Sequence, residues 1–124
     1  MKEHQEGKAV FKANLSGKDK GPGKAKGVFY NPAMKMSRDL HVAFANKIGI
    51  EGKMLDGLAA SGIRGIRLVL ESNLNVEFCE ASKLAAETIS ENLLIEDMQA
   101  LITFPDFISA NNKPHFFIPG SIDI

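Results

Sequence analysis

A chain of 124 residues has room for one small domain or for part of a larger one, and its 44% apolar content supports a packed core without disulfide staples. Its 15 basic side chains are balanced by 15 acidic ones, so net charge singles out no nucleic-acid partner. A lone cysteine, Cys79, excludes an internal disulfide and fits a reducing compartment; no apolar run reaches membrane-span length, and Met1-Lys2-Glu3-His4 is too polar to open a signal peptide. A soluble, cytoplasmic chain with no membrane partner is expected.

In chain order, the first thirty residues read as irregular apart from a short extended piece, Ala9 to Phe11. Leu15 to Gly27 is rich in Gly and Lys, with Pro22 inside, and reads as a mobile loop carrying Lys18, Lys20, Lys24 and Lys26. Asn31-Pro32 signals a turn. A helix follows, with Ser37 as its N-cap, Asp39 in its first turn, Leu40, Phe44 and Ile48 recurring every four residues, and Gly49 at its stop. From Met54 the chain takes on an α/β rhythm. Met54-Leu55 reads as a strand, Asp56 to Gly62 as a turn, and Ile63 to Leu70 as a helix. Val76 to Phe78 is a second strand, and Ser82 caps a helix carrying Leu84, Ala85, Ile89 and Leu93. Leu101 to Phe104 is a third strand ended by Pro105, and Phe116 to Ile118 is extended. This alternation predicts an α/β fold with a doubly wound, mostly parallel sheet. No internal repeat is present.

The chemistry concentrates in the first strand, its turn, the next helix and the acid ending the second strand. Gly57 and Gly62 let the backbone pass close to a ligand and let the helix start tight against the sheet. Glu80 follows the apolar strand about twenty residues after the turn, where a carboxylate can accept hydrogen bonds from a ribose diol. The turn is not the Gly-x-Gly-x-x-Gly dinucleotide fingerprint, because Leu58-Ala59 follows Gly57. An adenosine-containing ligand such as S-adenosylmethionine is therefore favoured over NAD. An ordinary α/β turn without a ligand remains the alternative at this point.

Further motifs carry a resemblance. Glu6-Gly7-Lys8-Ala9, Phe29-Tyr30-Asn31-Pro32-Ala33-Met34, Ser37-Arg38-Asp39 and Asp56 through Arg67 are similar to the start of a tRNA guanine-N2 dimethyltransferase. The resemblance is strong from Glu6 to about Asn92. It implies a Rossmann-like methyltransferase fold, S-adenosylmethionine as cofactor and tRNA as partner. On it, residues 1–36 form an N-terminal extension with the basic loop, and 37–124 an incomplete cofactor-binding domain. Carried over residue by residue, the cofactor site comprises Arg38, Asp56, Gly57, Gly62, Arg64, Glu80 and, near the adenine, Asp106. Cys79-Glu80 stands where the family usually has Asn-Asp, and the residues around Asp106 depart from its pattern. Ser121 to Ile124 resembles the strand before the family's Asp-Pro-Phe-Gly motif, which orients the target amine. That motif is not among these residues, so the chain alone is expected to be inactive and prone to self-association through Phe116, Phe117, Ile118 and Ile122.

Other readings compete. Arg38 and Asp39, or Arg64 and Arg67, can be ordinary solvated charges, and the lysine loop can touch tRNA phosphates or only water. Ser61 lacks the flanking glycines of a nucleophile elbow, and His4, His41 and His115 have no metal-ligand spacing. A non-catalytic adenosyl-binding module, or a decayed inactive product, is the main functional alternative. A nucleotide-dependent oxidoreductase is disfavoured by the missing fingerprint.

Overall fold

The computed structural model describes residues 1–15, 28–57, 59–105 and 114–117. Asp106, the loop from Lys18 to Lys26, and Ile118 to Ile124 lie outside the described residues.

The N-terminal stretch is not irregular. Strands β1 (Lys2–Glu6) and β2 (Ala9–Leu15) form an antiparallel hairpin in which Glu6 pairs with Ala9 and Lys2 with Ala13. In β2 the alternate residues Ala9, Phe11 and Ala13 are fully buried, the period expected of a strand with one face in the core. The all-polar β1 owes its conformation to that partner. A two-residue strand, β3 (Phe29–Tyr30), joins β2 in parallel.

Asn31 then caps a short 3-10 turn, Pro32–Met34, its side chain accepting from the Ala33 amide. The turn runs directly into α1 (Lys35–Ile48), so winding is already established before Ser37, which lies inside the helix and is not its cap. Gly49 ends α1 in the left-handed conformation, as expected. The buried face differs from the expected one. Leu40, Phe44 and Ile48 are 61%, 61% and 52% exposed, whereas Arg38, Val42 and Ala45 face inward against the second helix. The buried polar partners of Arg38 select that face over the more apolar one.

The main sheet follows. Strands β4 (Glu51–Asp56), β5 (Asn73–Cys79) and β6 (Ile102–Pro105) run parallel in that order, and β7 (Pro114–Phe117) adds antiparallel to β6. Helices α2 (Ile63–Glu71) and α3 (Lys83–Ile95) make the crossovers, α3 being capped by Ser82 as expected. In β5 the alternate residues Leu74, Val76 and Phe78 are buried. α2 lies so close to them that a Cβ on Gly65 would fall 2.4 Å from the Phe78 ring and 2.9 Å from Val76. Gly65 permits this tight helix–sheet approach, and Gly62 opens α2 in the left-handed conformation at φ 83°. One core unites the hairpin and the sheet: Phe11, Tyr30, Val42, Ile66, Phe78, Ile89, Leu93 and Ile102 all belong to it. Among the described residues no helix is long and apolar enough to cross a membrane.

Candidate functional site

At the carboxyl end of β4 the chain makes the turn to α2, a usual ligand position in parallel sheets. A cleft of about 130 Å³ opens there, lined by Tyr30, Asn31 and Arg38 from one side and by Asp56, Ala59, Ala60, Ser61, Ile63 and Arg64 from the turn. A second hollow of about 350 Å³ beside it shares Asp56 and Arg64, but Phe44, Ile50, Met54, Leu55, Leu68 and Leu74 make it chiefly apolar. The groups able to recognise a charged ligand converge on the smaller cleft.

The turn is held by hydrogen bonds to the sheet and to α3. The Ala59 amide donates to the Cys79 carbonyl at 3.1 Å, and the Gly62 amide to the Ala59 carbonyl at 2.8 Å. Ala60 sits at φ 50°, a left-handed conformation strained for a residue with a side chain, and its amide donates to Glu80 Oε2 at 2.8 Å. The other oxygen, Oε1, accepts from the amides of Ala81 and Ser82 at 3.1 and 3.2 Å. The Glu80 carboxylate thus ties the tip of β5 to the turn. Gly57 is exposed, and among the described residues a Cβ there would meet nothing within 4 Å. Behind the turn, the fully buried Asn92 donates from Nδ2 to the carbonyls of Ser61 (2.8 Å) and Lys12 (3.0 Å), while its Oδ1 accepts from the Lys12 amide at 2.6 Å. One side chain therefore joins α3, the hairpin and the turn.

The cationic wall is built with more help. Glu6, 2% exposed, ends β1 and accepts from Arg38 Nε at 2.8 Å and Nη2 at 2.7 Å, from the Tyr30 hydroxyl at 2.5 Å and from Arg67 Nη1 at 2.9 Å. Burial raises the Glu6 carboxyl, but the Arg38, Tyr30 and Arg67 hydrogen bonds outweigh it and hold the group at about 2. Burial and the bond to Glu6 both push the Tyr30 phenol up, so it remains a donor. Burial works against the charge of Arg38, yet its bonds to Glu6 prevail and raise its pKa. Arg38 Nη2 also donates to the Asn31 carbonyl at 3.0 Å, and its guanidinium lies 4.8 Å from the centre of the Tyr30 ring. Arg67 completes the cluster by pairing with Asp39 at 2.6 Å and Glu71 at 2.8 Å. Arg64, half-buried at the cleft, contacts His41 Nδ1 through Nη1.

Of the residues singled out in the sequence, Arg38, Asp56 and Arg64 line one cleft, Gly57 and Gly62 frame its turn, and Glu80 grips that turn from β5. Neither Arg38 nor Arg67 is a solvated surface charge; both are buried. Glu6 and Asn92 were not singled out as site residues. The signals were there: Glu6 opens a recognisable motif, and Asn92 shares the apolar face of α3 with Ile89 and Leu93. Among the described residues no cluster of His, Cys, Asp or Glu could hold a metal ion.

Residues 7–116 match the family model of the N2,N2-dimethylguanosine tRNA methyltransferase. The chain belongs to this family. The tRNA (guanine(26)-N(2))-dimethyltransferase of Thermoplasma volcanium is 38% identical over 87 residues, 70% of this chain and 25% of that protein. Its counterpart in Archaeoglobus fulgidus is 46% identical over 71 residues, 56% of this chain and 20% of that protein. In three dimensions the chain is similar to Trm1 from Pyrococcus horikoshii, seen in complex with S-adenosyl-L-methionine. The TM-score is 0.65 at 29% identity, covering 99% of this chain and 31% of that one. The α/β architecture, with its three parallel strands, is that of the Trm1 methyltransferase fold. The chain spans about a quarter of the length of the Thermoplasma relative.

Proposed function

We propose that this chain forms the S-adenosylmethionine-binding part of a tRNA guanine-N2 dimethyltransferase, with a guanosine in tRNA as the methyl acceptor of the whole protein. The observation carrying the reading is the convergence of two guanidinium-bearing residues, Arg38 and Arg64, on a cleft whose turn is gripped by the Glu80 carboxylate. Guanidinium groups suit a ligand carboxylate, and a strand-end acid suits a ribose diol; an adenosyl amino acid carries both. Glu80 Oε1 already takes two amides, but Oε2 takes only the Ala60 amide, so its second lone pair is left to accept a ribose hydroxyl. A pocket for a whole drug-sized ligand is about 300 Å³ or more. The cleft near 130 Å³ would therefore take the amino-acid end, and Glu80, at the tip of β5, would hold the ribose.

When bound, S-adenosylmethionine supplies an electrophilic methyl group on a sulfonium. The part played by this chain is to orient the cofactor: Arg38 and Arg64 fix the amino-acid end, and Asp56, Gly57, Gly62 and Glu80 shape the turn. Asp106 enters the proposed site on the family resemblance alone. Holding a guanine amine at reacting distance is a separate task. Asp-Pro-Phe-Gly is not among these 124 residues, so cofactor binding without methyl transfer is expected of the chain by itself. A cytoplasmic setting agrees with the lone Cys79 and with tRNA as substrate.

Calorimetry with S-adenosylhomocysteine, paired with a methyl-transfer assay on unmodified tRNA, tests the reading. Glu80→Ala should weaken binding roughly 10- to 100-fold, the loss of a hydrogen bond to a charged group. Unchanged affinity in a folded Glu80→Ala variant would refute the assignment, and turnover by the chain alone would refute the division of labour.

A further inference from the structure

We infer that Glu6 is a positioning residue of the cofactor site: acting from the N-terminal hairpin, it sets the guanidinium of Arg38 that faces the amino-acid end of the ligand. The inference rests on the proposed cofactor reading and extends it to a residue outside the α/β sheet.

Three contacts fix the guanidinium. Glu6 receives Nε and Nη2 together at 2.8 and 2.7 Å, the fork geometry that defines both position and plane. The Tyr30 ring covers one face, and the Asn31 carbonyl takes a further hydrogen from Nη2. Tyr30 and Asn31 themselves line the cleft, and Tyr30 is held in turn by its hydroxyl on Glu6 Oε1. Glu6 is thus the common anchor of the wall. Its Oε2, which takes Arg38 Nε, also accepts from Arg67 of α2, whose charge is balanced further by Asp39 and Glu71. A guanidinium locked this way loses less freedom on meeting a ligand carboxylate than one on a mobile stem. Removing Glu6 would strengthen the local positive charge and release the side chain. The two effects oppose each other, and orientation dominates here because the ligand carboxylate must be met by a fixed planar donor.

The test measures two ligands on the full chain: S-adenosylhomocysteine, which has the amino-acid carboxylate, and 5′-methylthioadenosine, which lacks it. Glu6→Gln should weaken S-adenosylhomocysteine roughly 10-fold and leave methylthioadenosine nearly unchanged. Tyr30→Phe keeps the ring and deletes one hydrogen bond to Glu6, so it should give a smaller loss with the same selectivity, and it serves if Glu6→Gln does not fold. In an Arg38→Lys background, Glu6→Gln should change the ratio of the two affinities no further. A purely structural role would weaken both ligands alike and would overturn the inference. So would tighter binding of S-adenosylhomocysteine by Glu6→Gln, which would mean that Glu6 only neutralises Arg38. Failure of the folded wild-type chain to bind either ligand would instead sink the cofactor reading beneath it.

Discussion

Acid should weaken this fold through Glu6 in a way that a single variant can isolate. The Glu6 carboxyl is held at about 2 against an ordinary value of 4.5, since hydrogen bonds from Arg38, Tyr30 and Arg67 overcome the cost of its burial. Because the folded value is the lower one, the stabilisation is fully present above 4.5 and is lost as pH falls towards 2. The whole difference is worth about 3 kcal/mol, of which about 2 kcal/mol is gone by pH 3. Glu71, held low chiefly by its hydrogen bond from Arg67, adds to the acid loss with the same sign. Urea unfolding followed by circular dichroism at pH 7 and pH 3 gives the free-energy change directly. The wild-type chain should lose about 2 kcal/mol more than Glu6→Gln over that interval. Equal losses in the two proteins would show that the carboxylate is not stabilised in the folded state, and the reasoning about its three donors would fail.

Three further outcomes follow from the packing. Asn92→Ala removes three hydrogen bonds to backbone groups inside the protein and should cost about 2–4 kcal/mol, with faster amide exchange at Lys12; unchanged exchange there would contradict the bridge. Gly65→Ala should cost about 1–3 kcal/mol in the same urea experiment, because the new methyl meets Phe78 and Val76 and α2 has to move away. Beside the self-association expected from the sequence through Phe116, Phe117, Ile118 and Ile122, the exposed face of α1 and the neighbouring Leu55, which is 64% exposed, offer a second apolar surface for it. In sedimentation, Leu40→Lys with Phe44→Lys should shift the chain towards monomer, and a wild-type monomer at every concentration would refute this.

The readable parts of the fold were those written in local chemistry. Gly49 and Ser82 mark helix ends through their own conformational and capping preferences, and both do so in the structure. The strands around Val76 and Leu101 were legible because apolar residues cluster between turn signals. The hairpin was harder to see. Lys2 to Glu6 carries no apolar alternation, and its strand exists because β2 offers a partner across a two-residue turn. α1 misled for a different reason: its more hydrophobic face is exposed, while a buried charge network draws Arg38, Val42 and Ala45 inward. At the site, the family resemblance assigned Arg38, Asp56 and Arg64, which share a cleft. Local pattern cannot reveal that Glu6 meets Arg67, 61 residues away, or that Asn92 meets Lys12, 80 residues away.

The central claim, an adenosyl amino acid held between Arg38, Arg64 and the turn gripped by Glu80, is tested most directly by amide chemical-shift mapping. S-adenosylhomocysteine titrated into the isotope-labelled chain should move the amides of Ala59, Ala60, Gly62, Ile63 and Arg64, together with Glu80 and Ala81, and leave Glu3 and His4 of β1 unmoved. A folded chain whose spectrum does not change, or whose shifts gather instead around Phe44, Ile50 and Leu74, would contradict the account.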